Sequence, residues 1–113
     1  MDVTIYHNPR CATSRKVLEL LRKRGIEPRI VEYLKTPPDA AELKRLLKML
    51  GIAPRALLRK KEAKEAGLDK PSLSDDAIIV GLAKHPIAME RPIVVTGSRA
   101  ALGRPPEAVA KIL

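Results

Sequence analysis

The chain of 113 residues and 12.4 kDa has room for one hydrophobic core, and 45% apolar residues are enough to fill it. With Tyr6 and Tyr33 as its only aromatics it lacks stacking platforms for single-stranded nucleic acid, and no stretch approaches the roughly 18 apolar residues of a membrane span. The formal charge of +9 favours anionic partners, whereas the single cysteine excludes an internal disulfide and an all-thiolate zinc site.

Val3–Tyr6 is β-branched and aromatic and reads as a strand, followed by a turn at Asn8-Pro9. A helix is predicted from about Ala12 to Arg24, with Val17, Leu18, Leu20 and Leu21 as its apolar stripe and Gly25 as its stop. Ile30–Leu34 reads as a second strand, so this segment forms a parallel βαβ unit. After Pro37-Pro38-Asp39, Leu43, Leu46, Leu47 and Leu50 recur at helical spacing up to Gly51. Residues 54–71 are basic and predict short helices; Ser74 caps another helix, closed by His85-Pro86. Pro92–Thr96 and Arg99–Leu102 then read as strands joined by Gly97-Ser98, a pair suited to a type II′ hairpin. Pro105-Pro106 opens a last helix with Val109, Ile112 and Leu113 on its apolar face. The order β-α-β, helical block, β-β-α predicts an α/β protein with a thioredoxin-like fold. It is expected to form one domain over 1–113, with a sheet-bearing lobe at about 1–36 and 87–113 and a helical insertion at about 37–86.

Cys11 is placed where a turn enters the first helix. Exposed amides and the helix dipole there stabilise a thiolate and can hold an oxyanion. His7 and Arg10 are near in sequence, and Ser14 follows at C-x-x-S spacing. A lone cysteine in such a domain is as often an inert small hydrophobe, and the local residues by themselves leave both readings open. Cys11 and His7 alone do not make a metal site. A phosphatase-type loop needs an arginine six positions after the cysteine, where this chain has Val17. Among the arginines, Arg59 lies in the run Arg59-Lys60-Lys61, Arg91 precedes Pro92 and Arg104 precedes Pro105. In a thioredoxin-like fold Arg91 is expected beside Cys11, with its X-Pro bond a candidate for cis.

The run His7-Asn8-Pro9-Arg10-Cys11-Ala12-Thr13-Ser14-Arg15 resembles the active-site signature of glutaredoxin-coupled, glutathione-dependent arsenate reductases. So do Tyr33-Leu34 with Pro37-Pro38, Arg55–Lys60, His85-Pro86-Ile87, Arg91–Val95 and Gly103–Glu107, in order along nearly the whole chain. The resemblance is to a short form of that family, which is related to Spx-type regulators. It implies Cys11 as nucleophile, Arg59, Arg91 and Arg104 as the oxyanion-binding trio, His7 favouring the thiolate and Ser14 bonding to it. It also implies arsenate or a similar oxyanion as substrate, glutathione as co-substrate, glutaredoxin as partner, no bound cofactor, and a monomer; the cysteine usage and the absence of a membrane span or signal segment make a cytoplasmic protein the expectation. One cysteine fits this scheme, because the second thiol must come from outside. Two alternatives accompany it: a thiol oxidoreductase acting on other glutathione adducts, and a non-enzymatic regulator binding RNA polymerase. Nucleic-acid binding through Arg55, Arg59, Lys60, Lys61 and Lys64 is not expected, because a solvated helix face explains that run.

Overall fold

The computed structural model describes residues 2–113. Four strands, β1 (Val3–His7), β2 (Arg29–Glu32), β3 (Ile93–Thr96) and β4 (Arg99–Leu102), form one sheet in the order β2-β1-β3-β4. β1 and β2 are parallel, with Ile5 opposite Ile30; β3 is antiparallel to both β1 and β4, with Ile5 opposite Val94 and Val94 opposite Ala101. Helix α1 (Ala12–Lys23) is the crossover between the parallel pair. This is the thioredoxin-like α/β arrangement read from the order of elements.

The chain divides into two compact units, one running up to Thr36 and resuming at Arg91–Leu113, the other Pro37–Glu90. Residues 87–90, expected with the sheet, fall in the helical unit because backbone bonds tie them there. Glu90 N donates to Leu57 O at 2.7 Å, and Arg59 N donates to Ala88 O at 2.7 Å.

In the sheet unit, α1 buries Val17 and Leu21 against Val3, Ile5, Val94 and Val109. β1 buries Val3, Ile5, Tyr6 and His7, a near-continuous run suited to an interior strand. β2 ends earlier than expected: Lys35 N and Thr36 N both donate to Glu32 O, so Tyr33 and Leu34 lie in a turn. Gly97 has φ +59 and, among the described residues, none other than glycine has positive φ, the signature of the expected type II′ turn with Ser98 second. The closing helix, Pro106–Ile112, is 3₁₀ rather than α. Ala108 N bonds Pro105 O and Leu113 N bonds Ala110 O, and this three-residue pitch aligns Pro106, Val109 and Ile112 on one face.

In the helical unit, α2 (Ala40–Leu50) and α4 (Asp75–Lys84) pack together and bury Leu43, Leu46, Leu47, Ile78, Ile79 and Leu82. A 3₁₀ turn at Pro54–Leu57, the short helix α3 (Lys60–Glu65) and a second 3₁₀ turn at Pro86–Ala88 complete it. No helix of the described residues is long and apolar enough to cross a membrane.

Candidate active site

The site is built by a tight turn between β1 and α1. Asn8 is its hub: its carbonyl accepts from Cys11 N at 3.0 Å, its Oδ1 accepts from Arg10 N at 3.0 Å, and its own N–H donates to Ser14 Oγ at 3.1 Å. These bonds set Cys11 as the N-cap residue of α1, with extended backbone at φ −91 and ψ 121. Asn8 did not emerge as a site residue from the sequence; the Asn-Pro pair marked only a turn there, although an asparagine side chain bonding a nearby amide is a recognised turn device.

No side-chain oxygen caps α1, and its first turn carries no acid. Half-buried Cys11 is the N-cap residue, and its side chain makes no capping hydrogen bond. Burial by itself pushes the thiol's pKa up, but the Ser14 amide, the Arg91 guanidinium and the Thr13 amide together bring it below its ordinary value. Arg104 adds a donor, with Nη2 at 3.8 Å from Sγ. Arg104 Nε also donates to Arg91 O at 2.9 Å, which ties the two arginines together. Arg91 is buried, and its Nε and Nη1 have no hydrogen-bond partner among the described residues. Buried guanidinium donors left unpaired suit a bidentate oxyanion. Both Arg91-Pro92 and Arg104-Pro105 are cis peptides, the first as the sequence suggested.

His7 and Ser14 meet each other: His7 Nδ1 lies 2.6 Å from Ser14 Oγ. Burial lowers the His7 pKa, Glu32 opposes this, Arg22 and Arg15 add to it, and the net shift is downward. At neutral pH the ring is uncharged. Ser14 faces the sulfur with its backbone amide, while its hydroxyl is engaged by His7 and the Asn8 amide. The resemblance implied that Ser14 bonds to the thiolate; its oxygen meets His7 Nδ1 and the Asn8 amide, and its backbone amide is among the groups that favour the thiolate. Arg10 is exposed and Arg15 donates to Pro9 O at 2.9 Å, bracing the turn.

Arg59 belongs to the helical unit, where it is the N-cap residue of α3 and its Nε pairs with Glu62 Oε1 at 3.0 Å. Its Nη1 is buried without a hydrogen-bond partner among the described residues. Among the described residues no cluster of His, Cys, Asp and Glu could hold a metal ion.

The sequence profile of the ArsC family matches residues 6–112, from the end of β1 to the last helix. The chain is a member of the ArsC family. An arsenate reductase of Neisseria meningitidis is 47% identical over 99% of this chain and 98% of its own length. The uncharacterized Escherichia coli protein YfgD is 52% identical over 99% of this chain and 97% of its own length. The solved structure of an arsenate reductase from Vibrio cholerae superposes with a TM-score of 0.96 at 50% identity, covering 100% of this chain and 98% of that one. The matched residues include Cys11, the N-cap residue of α1.

Proposed function

We propose that the protein reduces arsenate to arsenite through Cys11, with glutathione and glutaredoxin supplying the other thiols. The observation that carries this reading is the Cys11 sulfur at the open N-terminus of α1, its charged form favoured by backbone amides and Arg91 and its Sγ contacted by Arg104. A nucleophile and an oxyanion cradle occupy one place.

The Cys11 thiolate attacks As(V), and one arsenate oxygen leaves as water after protonation. Arg91 and Arg104 stabilise the negative charge on the remaining oxygens. A glutathione thiol then supplies the second sulfur. As(V) takes two electrons and leaves as As(III), while the two sulfurs are oxidised to a Cys11–glutathione disulfide. A glutaredoxin thiolate attacks the glutathione sulfur, and the Cys11 thiolate departs as the leaving group, ready for the next cycle. A depressed thiol pKa helps at both ends, raising the thiolate fraction for attack and making Cys11 the better leaving group. Arg59 is proposed as the third oxyanion-binding arginine on the strength of the family signature and its unpaired Nη1.

The test is arsenate-dependent NADPH oxidation coupled to glutathione reductase, glutathione and glutaredoxin, with the parent and Cys11→Ser side by side. Turnover in the parent and none in Cys11→Ser is expected; equal rates in the two would sink the reading. Turnover with a glutathionylated peptide but none with arsenate would move the assignment to glutathione adducts as natural substrates.

A further inference from the structure

Both arginines that address the sulfur stand next to the same packing point. Arg91 immediately precedes Pro92, and Arg104 immediately follows Gly103. Gly103 N donates to Pro92 O at 2.9 Å, and Arg104 Nε donates to Arg91 O at 2.9 Å, so the two segments are clamped twice within two residues. Gly103 is buried, and a Cβ there would lie 2.6 Å from Val17 Cγ2, 2.9 Å from Pro92 Cγ and 3.1 Å from Pro92 Cδ. Neither neighbour can turn aside. Val17 is fully buried in the middle of α1, where a β-branched side chain has essentially one rotamer, and the proline ring is rigid. At the other buried glycine, Gly81, the nearest atoms to such a Cβ all belong to the Leu68 side chain, which has rotamers to move through.

We propose that Gly103 is a positioning residue that sets the distance of Arg91 and Arg104 from the Cys11 sulfur by leaving no side chain between Val17 of α1 and Pro92. Cys11 begins the helix that carries Val17, so any wedge at Gly103 moves the arginine-bearing segments away from the element that holds the sulfur. Arg104 Nη2 is already at 3.8 Å from Sγ, near the outer limit of an N–H···S contact, so a displacement of a few tenths of an ångström breaks it. The inference rests on the thiolate part of the proposed function and not on arsenate itself.

The experiment is the rate of Cys11 alkylation by iodoacetamide as a function of pH, read by mass spectrometry; one cysteine makes the signal unique. Gly103→Ala is expected to raise the midpoint by up to about one pH unit, a loss of up to about tenfold in thiolate at neutral pH. It should also raise the arsenate KM more than it lowers kcat. Gly103→Ala/Val17→Ala removes the 2.6 Å contact and keeps the two Pro92 contacts, so it serves where the single variant does not fold. Its midpoint should lie above the parent's by less than the full shift expected of Gly103→Ala, and a folded double variant with the parent's midpoint, where the single variant does not fold, overturns the proposal. Val17→Ala alone, a plain core truncation, should lower Tm and leave the midpoint in place. A folded Gly103→Ala variant with the parent's midpoint overturns the proposal, whatever its Tm. Failure of the arsenate assay with a shifted midpoint leaves the proposal standing and removes only the substrate.

Discussion

Helices α2 and α4 begin with conventional caps, and α1 does not. Asp39 accepts from Glu42 N at 2.8 Å and Ser74 accepts from Ala77 N at 3.1 Å, with Glu42, Asp75 and Asp76 adding negative charge in the first turns. α1 starts on Cys11, with no oxygen cap and no acid, although its last turn carries Arg22 and Lys23 in the ordinary way. The N-termini of α2 and α4 are closed by side-chain oxygens, whereas that of α1 is not. The open end forgoes about 1 kcal/mol of helix stability that an oxygen cap would contribute. The amides of Thr13 and Ser14 are thereby free to favour a thiolate.

Substitutions that make α1 resemble its neighbours, or the reverse, test this contrast. The largest effect is expected from Cys11→Asp, which installs a conventional cap: arsenate turnover falls to background while Tm rises by about 2–4 °C in a calorimetric scan. Arg91→Gln removes the charge and keeps much of the volume. It should lower kcat/KM for arsenate about 10- to 100-fold, the worth of a charge-assisted hydrogen bond, and raise the alkylation midpoint of Cys11. Ala12→Asp gives α1 its missing first-turn acid at an exposed position. The helix should gain about 0.3–1 kcal/mol, seen in denaturant titration, while alkylation at pH 7 slows severalfold. Asp39→Ala or Ser74→Ala should each lose about 0.5–2 kcal/mol of stability and leave the alkylation midpoint where it is.

The smallest effect is a linkage. The folded Cys11 pKa lies below the unfolded thiol value of 9.0, so the thiolate's stabilising contribution is complete above pH 9.0 and fades as pH falls through the folded pKa. The Tm of the parent minus that of Cys11→Ser should therefore grow as pH rises across that interval. A flat difference would mean that the amides and Arg91 do not act on the sulfur.

The apolar stripes of α1, α2 and β1 and the turn at Gly97-Ser98 were legible because period and turn chemistry are local properties. Tyr33-Leu34 misled, since two more apolar residues extend a strand pattern, and only the Glu32 carbonyl shows where the ladder stops. The last helix misled for a related reason: residues at i and i+3 fit α and 3₁₀ pitch alike. At the site, Cys11, His7, Ser14, Arg91 and Arg104 were nameable from the signature, but the engagement of Ser14 Oγ by His7 and the Asn8 amide was not. Spacing brings a residue near; it does not say whether its amide or its side chain makes the bond.

The sequence by itself determined the element order, the helix that starts at Cys11, and the residue types that can bind an oxyanion, because each follows from short-range patterning. Tertiary structure decided that Arg91 and Arg104, from segments far along the chain, reach the sulfur, and that His7 commits its Nδ1 to Ser14. It also decided that Gly103 must have no side chain. Those outcomes depend on the distance at which the β3–β4 ribbon settles against α1, and that distance is fixed by packing volume, which no local pattern encodes.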